Sequence, residues 1–182
     1  MTQPSWLPAA LRYSDFDGDW ARFLGAVYQI FERDFKQSRP GYQGQTVVHD
    51  TRIEDGKEVG FWHMTCRYEP RTQAREMDLR RCERIPWPRP MIEHSTDKSL
   101  SVWKAERKKP RSPRQTRVLI WLENLDYVVV LAERPRAMIL VTAYCTDIES
   151  HRGKLRKERD AYRKTQKPPG GGDLSTPSTH GR

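Results

Sequence analysis

The chain has 182 residues, 33 of them Lys or Arg and 24 of them Asp or Glu, which gives a formal net charge of +9 at pH 7. This length is typical of one domain with one core, and the excess of positive charge favours phosphate-rich partners. A charge of this size also serves solubility alone, so composition by itself leaves nucleic-acid binding open.

Cysteine content and hydropathy argue against several classes of protein. Cys66, Cys82 and Cys145 are odd in number and lack the spacing of a zinc site, so we expect neither a structural metal nor a disulfide framework. Residues 1–8 do not resemble a signal peptide, and no stretch approaches the ~18 apolar residues that span a bilayer. We therefore expect a cytoplasmic protein without a membrane partner.

The first predicted element is an N-terminal helix. Large apolar residues recur at three- and four-residue steps from Phe16 to Phe35, which is the spacing of one helical face. Pro40 and Gly41 are poor helix residues, so we expect the helix to end near Ser38. A helix with this much aromatic surface needs a sheet to bury it.

A β-hairpin is predicted next. Residues 45–53 and 58–68 are rich in strand-forming side chains. The Asp55-Gly56 pair between them is a good signal for a tight hairpin turn. The sequence therefore predicts two adjacent antiparallel strands.

The middle of the chain is charged and irregular. A short helix is predicted at residues 78–83, and the alternate prolines from Pro86 to Pro90 favour a stiff, extended loop after it. The basic stretch from Lys104 to Arg117 is interrupted by further prolines, so we predict an exposed, mobile loop there.

Three strands and a helix are predicted in the last third of the chain. Residues 117–123, 127–132 and 137–145 are short runs rich in Val, Ile, Leu and aromatic residues, which is typical of strands. A highly charged helix is predicted from residue 148 to about residue 164.

The predicted fold is an α+β domain over residues 1–165, in which the N-terminal helix packs on an antiparallel sheet of four or five strands. A charged C-terminal helix follows the sheet. The N-terminal helix would cover the apolar face of the last strand. That face comprises Ile139, Val141, Ala143 and Cys145. Residues 166–182 are rich in Pro, Gly, Ser and Thr and are predicted to form a disordered tail.

His63 is the best candidate for proton transfer. It would share a strand face with Thr65 and Arg67, so that an imidazole, a hydroxyl and a guanidinium face one phosphodiester. Imidazole moves a proton near neutral pH, and a guanidinium stabilises a pentavalent phosphorane without a metal ion. The alternative is a half-buried strand histidine that is hydrogen-bonded to a neighbouring backbone group.

A second candidate region, from Asp78 to Arg89, interleaves arginines with a tryptophan. This mixture suits unpaired RNA, because arginine binds phosphate and an indole stacks on an exposed base. The alternative is a surface helix whose arginines pair with neighbouring carboxylates while Trp87 anchors the loop to the core. The sequence leaves both interpretations open.

Motifs of the common metal-dependent and cofactor-dependent enzymes are absent from the sequence. Asp and Glu are scattered, and none lies in a recognisable metal-binding carboxylate motif. The GxSxG elbow, the GxxxxGK[ST] loop and the GxGxxG turn are also absent. We therefore expect any chemistry to proceed without a metal ion or another cofactor.

Three short stretches carry a resemblance to known nucleases. They are FWHMT at residues 61–65, DYVVVL at 126–131 and LVTAY at 140–144. Together with the basic segment between them, they resemble the phage and plasmid nucleases of the barnase, EndoU, colicin and RelE-like fold group over residues 16–146. The resemblance implies a helix before an antiparallel sheet and RNA cleavage by attack of the ribose 2′-hydroxyl, which leaves a cyclic phosphate.

The resemblance also implies roles for individual residues. His63 would transfer a proton, and Arg81 or Arg84 would hold the phosphate. The second acid–base residue would be Tyr144, Glu83 or an arginine. The predicted catalytic residues are His63, Arg84, Thr142 and Tyr144. The predicted RNA-binding residues are Thr65, Arg67, Arg80, Arg81, Trp87 and Arg89.

The predicted function is a metal-independent, toxin-like endoribonuclease that acts on tRNA or mRNA and has a cognate antitoxin or inhibitor protein as a further partner. One alternative is a non-catalytic nucleic-acid-binding accessory protein of a phage or mobile element. Another is a toxin-neutralising or host-inhibiting protein whose basic loop binds an acidic partner. The enzyme hypothesis requires His63 and Thr142 to converge on one concave surface, whereas the binding hypotheses do not.

Overall fold

A computed structural model describes residues 3–69, 72, 74–108 and 114–166 of the chain. Its helices are α1 (Trp20–Phe31), α2 (Val59–Thr65), α3 (Leu79–Glu83), α4 (Pro88–Glu93) and α5 (Glu149–Gln166). Its strands are β1 (Gly41–Tyr42), β2 (Gln45–Val48), β3 (Ile53–Glu54), β4 (Lys57–Glu58), β5 (Cys66–Tyr68), β6 (Arg75–Met77), β7 (Ser101–Arg107), β8 (Gln115–Leu122), β9 (Tyr127–Arg134) and β10 (Ala137–Cys145). A π-helical segment, Glu32–Gln37, continues α1.

Six strands form one mixed sheet in the order β1-β2-β10-β9-β8-β7. Neighbouring strands are antiparallel except for β2 and β10, which run parallel with Met138 opposite Val47 and Ile139 opposite Val48. The predicted α+β class is confirmed, but the predicted sheet of four or five antiparallel strands is wrong in its size and in this one pair. A parallel pair needs a long connection, and the chain between β2 and β10 supplies it.

The predicted hairpin is present only near its turn. β3 pairs with β4 around Asp55 and Gly56, whose φ angles of 47° and 76° suit a tight two-residue turn. The strand predicted at residues 58–68 is wrong, because most of that segment forms α2. Phe61 and Met64 are fully buried at helical spacing, and periodicity in a short apolar run does not distinguish a strand from a helix.

One face of the sheet is covered by α1. Phe23, Val27 and Phe31 of α1 are fully buried in a core shared with β8, β9 and β10. The carboxylate of Asp19 accepts a hydrogen bond from the backbone N–H of Arg22 at 3.0 Å and caps the helix. The predicted N-terminal helix is therefore confirmed, and it packs on the sheet.

A β-bulge in β10 decides which of its residues face α1. The register with β9 shifts between Leu140 and Thr142, so the alternation of faces is interrupted there. Val141 and Tyr144 pack on the opposite face of the sheet. The predicted apolar face is confirmed for Ala143 and Cys145 and wrong for Ile139 and Val141, because the prediction assumed unbroken alternation. The β10 residues that pack in the core with α1 are Met138, Leu140, Ala143 and Cys145.

The opposite face of the sheet is partly covered by α5, which confirms the predicted charged C-terminal helix. Leu155 of α5 packs on an apolar cluster that contains Trp103 and Trp121. The indole N–H of Trp103 donates a hydrogen bond to the carboxylate of Glu158 at 2.8 Å, and the Arg159 guanidinium lies over the Trp121 ring. These contacts hold α5 against the sheet.

Two segments predicted as loops are regular structure. The basic charge of Lys104 to Arg117 predicts a mobile loop, yet β7 and β8 pair antiparallel within that stretch. The prolines after α3 begin α4, because Pro88 lies in its first turn, where the missing N–H breaks no helical hydrogen bond. Residues 109–113 and nearly all of the predicted tail, residues 167–182, lie outside the described residues.

Candidate active site

The second half of β10 is tied to α2. β2 pairs with β10 at Met138 and Ile139. Further along β10, the hydroxyl of Thr142 donates a hydrogen bond to the backbone carbonyl oxygen of His63 at 2.6 Å. This bond brings two residues that are 79 positions apart in sequence to the same edge of the sheet, although His63 lies on a helix and not on the predicted strand.

His63 and Thr142 line a cavity of about 290 Å³ at this edge. Val141 of β10, Arg81 of α3 and three consecutive residues of β5 complete its lining. Those β5 residues are Cys66, Arg67 and Tyr68. His63 and Thr142 therefore converge on one concave surface, together with two guanidinium groups.

A second cavity, of about 640 Å³, adjoins the first and extends to α5. Arg67 and Arg81 line both cavities, so the two cavities lie side by side at these arginines, and we call the pair of cavities the groove. Residues that line only the second cavity include Arg107, Tyr144, Asp147, His151, Lys154 and Glu158.

Arg81 is held in place by several contacts. Its Nη1 donates a hydrogen bond to the carbonyl oxygen of Cys66 at 2.6 Å, and its Nε lies 3.6 Å from a carboxylate oxygen of Asp78. Its guanidinium carbon is 5.8 Å from the centre of the Tyr144 ring. Only 18% of the side chain is exposed, so Arg81 presents a fixed cation to the groove at little entropic cost on binding.

Arg67 is the more exposed of the two shared arginines. Its Nη2 lies 3.3 Å from Glu76 across the β5–β6 pair, and 64% of its side chain is exposed. An exposed ion pair of this kind contributes little to stability. Arg67 can therefore exchange Glu76 for a phosphate at small cost.

The imidazole of His63 is half-buried and is available to accept a proton from a ligand. Neither ring nitrogen hydrogen-bonds another described residue. Burial lowers the pKa of His63 below its ordinary value of 6.5, and the nearby Asp50 carboxylate opposes that shift in part. The neutral form therefore predominates near neutral pH, and this form can accept a proton.

Tyr144 presents a hydroxyl to the second cavity. The hydroxyl has no hydrogen-bond partner among the described residues. Burial raises the pKa of Tyr144, as does Glu158, whereas Arg107 and Arg81 lower it. Tyr144 therefore stays protonated near neutral pH and can donate a hydrogen bond to a ligand in the groove.

Tyr68 is an exposed aromatic ring at the first cavity. The side chain is 55% exposed and contributes to the lining beside His63. The sequence predicted Trp87, and not Tyr68, as the residue that stacks on a base. An exposed ring beside two arginines is a suitable surface for an unpaired base.

His151 and Lys154 are two further groove residues that sequence analysis missed. Both lie on α5, are exposed, and make no side-chain hydrogen bond or ion pair with a described residue. The signal was present in their spacing, because His151, Lys154, Leu155 and Glu158 recur at three- and four-residue steps and share one helical face. Because most of their neighbours in the sequence are charged, this segment resembles an ordinary solvent-exposed helix face.

Three of the predicted RNA-binding residues are engaged elsewhere. Thr65 is fully buried, and its hydroxyl donates to the carbonyl oxygen of Phe61 at 2.9 Å. Trp87 is 4% exposed, and its indole N–H donates to the carbonyl oxygen of Pro8 at 3.0 Å. Arg89 donates to the backbone carbonyl of Asp34 and to the hydroxyl of Ser38. Trp87 thus matches the alternative interpretation, an anchor of the chain to the core.

Replacing Trp87 by alanine should therefore reduce stability. We expect the free energy of unfolding to fall by about 3–5 kcal/mol, because a fully packed indole is lost and a cavity remains. Denaturant unfolding followed by circular dichroism measures this change. The matched control is Trp20→Ala, whose parent ring is 37% exposed and should contribute less. An unchanged unfolding curve with weaker RNA binding would contradict the anchoring role.

The remaining predicted residues do not line the groove. Arg80 pairs with Asp147 at 2.5 Å, and Arg84 donates to the backbone carbonyl of Arg80 while its guanidinium lies 5.1 Å from the centre of the Trp87 ring. Glu83 accepts a hydrogen bond from the backbone of Tyr13 at 3.2 Å. None of Arg80, Glu83 and Arg84 lines either described cavity. The predicted residues that do line the groove are His63, Arg67, Arg81, Thr142 and Tyr144.

Within the described ranges, no three or more His, Cys, Asp and Glu side chains lie together as a metal site would require. No helix in that same part of the chain is long and apolar enough to cross a membrane. Comparison of the chain with protein-family models, curated proteins and solved structures gave no match.

Proposed function

We propose that this protein is a metal-independent endoribonuclease whose active site is the groove. The observation that carries the proposal is the meeting of His63 and Thr142 in one cavity with Arg67 and Arg81. A neutral imidazole beside two guanidinium groups has the composition that metal-free cleavage of a phosphodiester requires.

His63 acts as the general base in the proposed reaction. It removes the proton from the ribose 2′-hydroxyl, and the 2′-oxygen attacks the adjacent phosphorus. The bond between phosphorus and the 5′-oxygen breaks, and a second group gives that oxygen a proton. The products are a 2′,3′-cyclic phosphate and a 5′-hydroxyl end.

Arg81 and Arg67 stabilise the charge that develops on the phosphoryl oxygens. Arg81 is preorganised by Cys66 and Asp78, so its donors need little rearrangement as the phosphorane forms. The basic net charge of the chain draws RNA to the surface at long range.

Tyr68 supplies a stacking surface for a base next to the cleaved bond. A base inside a duplex is already stacked, so this contact selects an unpaired nucleotide. Single-stranded loops of tRNA and unpaired mRNA are both suitable substrates. A cognate inhibitor protein would act by covering the groove.

The proposal is tested by incubating the purified protein with tRNA and total RNA in excess EDTA. The expected result is cleavage at discrete positions with cyclic-phosphate and 5′-hydroxyl ends. A His94→Ala preparation is the positive control, because His94 stacks on Trp6 outside the groove. Salt-sensitive RNA binding without cleavage would replace the enzyme with a non-catalytic nucleic-acid-binding protein.

The pH dependence of cleavage should follow the titration of His63. The base must be unprotonated, and burial lowers its pKa below 6.5, so the midpoint of the acid limb of kcat/KM should lie below pH 6.5. Asp50→Asn removes a carboxylate that raises this pKa, so the variant's midpoint should lie lower still. Initial rates across the acid to neutral range measure both values. An acid limb above pH 6.5, or an upward shift in Asp50→Asn, would assign the limb to another group.

A further inference from the structure

We infer that His151 of α5 is the proton donor to the leaving 5′-oxygen, an inference that rests on the proposed ribonuclease activity. The proposed reaction needs a base on one side of the phosphate and an acid on the other, because the attacking and leaving oxygens are roughly in line across the phosphorus. His63 supplies the base.

The arrangement of the groove places the two histidines around the arginines. His63 lines only the first cavity, and His151 lines only the second. Arg67 and Arg81 line both. A phosphate bound by the two guanidinium groups therefore has one imidazole toward each cavity, as an in-line displacement requires.

The ring of His151 is free to act. The residue is exposed, and its side chain makes no hydrogen bond or ion pair with a described residue. Two ion pairs engage other charged groups of the second cavity, whereas Lys154 is a further cation there that pairs with no described residue. Arg107 forms an ion pair with Glu158 at 2.7 Å, and Asp147 forms one with Arg80. The His151 imidazole keeps both nitrogens for a substrate.

The helix that carries His151 is fixed at this position. Leu155, one turn further along, is 8% exposed and packs in the apolar cluster that contains Trp103 and Trp121. Arg152, the next residue, donates to the carboxylate of Asp126 at 2.8 Å. These two contacts hold the α5 backbone at His151 against the sheet. The exposed imidazole is therefore attached at a fixed position beside the groove.

Tyr144 is the rival proton donor, and its chemistry is less suitable. Burial raises the pKa of its hydroxyl, which makes it a weaker acid near neutral pH. An imidazolium loses and regains a proton in that range. We therefore assign Tyr144 to hydrogen bonding with the phosphate.

The protonated His151 gives its proton to the 5′-oxygen as the phosphorus–oxygen bond breaks, and the bonding electron pair leaves with that oxygen. His63 holds the proton taken from the 2′-hydroxyl. Solvent exchange returns both imidazoles to their starting states, and no oxidant, metal or further reactant is consumed.

The test compares two oligoribonucleotides built around the cut site that the parent protein makes in tRNA. One has the natural linkage, and the other has sulfur in place of the bridging 5′-oxygen at that site. A thiolate leaves without being protonated, so the sulfur substrate does not need the acid. His151→Ala should cleave the natural linkage about 10²-fold or more slowly than the parent and the sulfur linkage at close to the parental rate.

Two variants complete the design. His63→Ala should be slow on both substrates, because both need the base. Tyr144→Phe should show no recovery that is specific to sulfur; such recovery would move the acid role to Tyr144. Equal losses on both substrates in His151→Ala, or no loss on either, would overturn the inference while leaving the ribonuclease proposal in place. Failure of the parent to cut in EDTA would instead overturn the ribonuclease proposal itself.

Discussion

Replacing His63 by alanine is expected to lower the rate of RNA cleavage by about 10²- to 10⁴-fold, the usual contribution of a general base. The imidazole is the neutral proton acceptor that lines the first cavity with the two shared arginines. Single-turnover cleavage of an oligoribonucleotide in EDTA measures the loss. RNA binding should change little, because the groove arginines remain.

The fold should survive this substitution. The contact that ties α2 to β10 uses the backbone carbonyl of His63 as the acceptor for Thr142, and alanine keeps that carbonyl. Alanine is also a good helix residue, so α2 is not weakened by propensity. Thermal unfolding should therefore resemble that of the parent. Cleavage at the parental rate by a folded His63→Ala protein would remove the histidine from the mechanism.

The parts of the fold that could be predicted from sequence are those with long, regular patterns. The apolar spacing of α1 indicates a helix with one buried face. The runs of Val, Ile and Leu in β8, β9 and β10 indicate strands, and the two patterns together predict a helix packed on a sheet. Elements with short patterns were not predictable. The apolar run of α2 is too short to separate a helical from a strand period, and tertiary packing of Phe61 and Met64 decides it.

Long-range features left no local signal in the sequence. The parallel pairing of β2 with β10 joins distant segments, and the bulge near Thr142 alters the facing of residues after it. Both change which side chains meet. The convergence of His63 with Thr142 was nevertheless expected, because the resemblance to nucleases supplied both residues.

The candidate site was harder to predict where a residue type has two common uses. Trp87 lies among arginines in the sequence and so resembles a residue that stacks on a base. In the structure it is buried, because burying the large apolar area of an indole stabilises the fold. Tyr68 takes the exposed position at the groove. In the sequence, His151 lies among charged residues and resembles an ordinary solvated side chain. Its position becomes clear only from the packing of Leu155, which lies on the same face of α5, against the sheet.

Arg81 is expected to give the second large effect. Arg81→Ala should slow cleavage by about 10²- to 10³-fold, the cost of removing a preorganised donor from a developing oxyanion. It should also destabilise the fold, because the carbonyl oxygen of Cys66 loses a hydrogen bond and an unsatisfied buried polar group costs about 1–3 kcal/mol. Cleavage rates and denaturant unfolding of the same preparation separate the two effects.

The Arg81→Lys variant tests whether the guanidinium group itself, and not only its positive charge, is needed for cleavage. Lysine keeps the positive charge but offers a compact ammonium in place of the planar fork. RNA affinity should therefore change little, while the cleavage rate should stay well below that of the parent. The matched control is Arg80→Lys, since Arg80 is the preceding residue on α3, pairs with Asp147 and lines neither cavity.

A parental cleavage rate in Arg81→Lys would mean that charge alone suffices at this position. Equal losses in the Arg80 and Arg81 lysine variants would mean that the effect comes from α3 as a whole. A loss confined to Arg81, in a protein that still binds RNA, has one remaining physical explanation. The guanidinium, aimed by Cys66 and Asp78, binds the phosphorane more tightly than the ground-state phosphate, and that difference in binding is what accelerates the reaction.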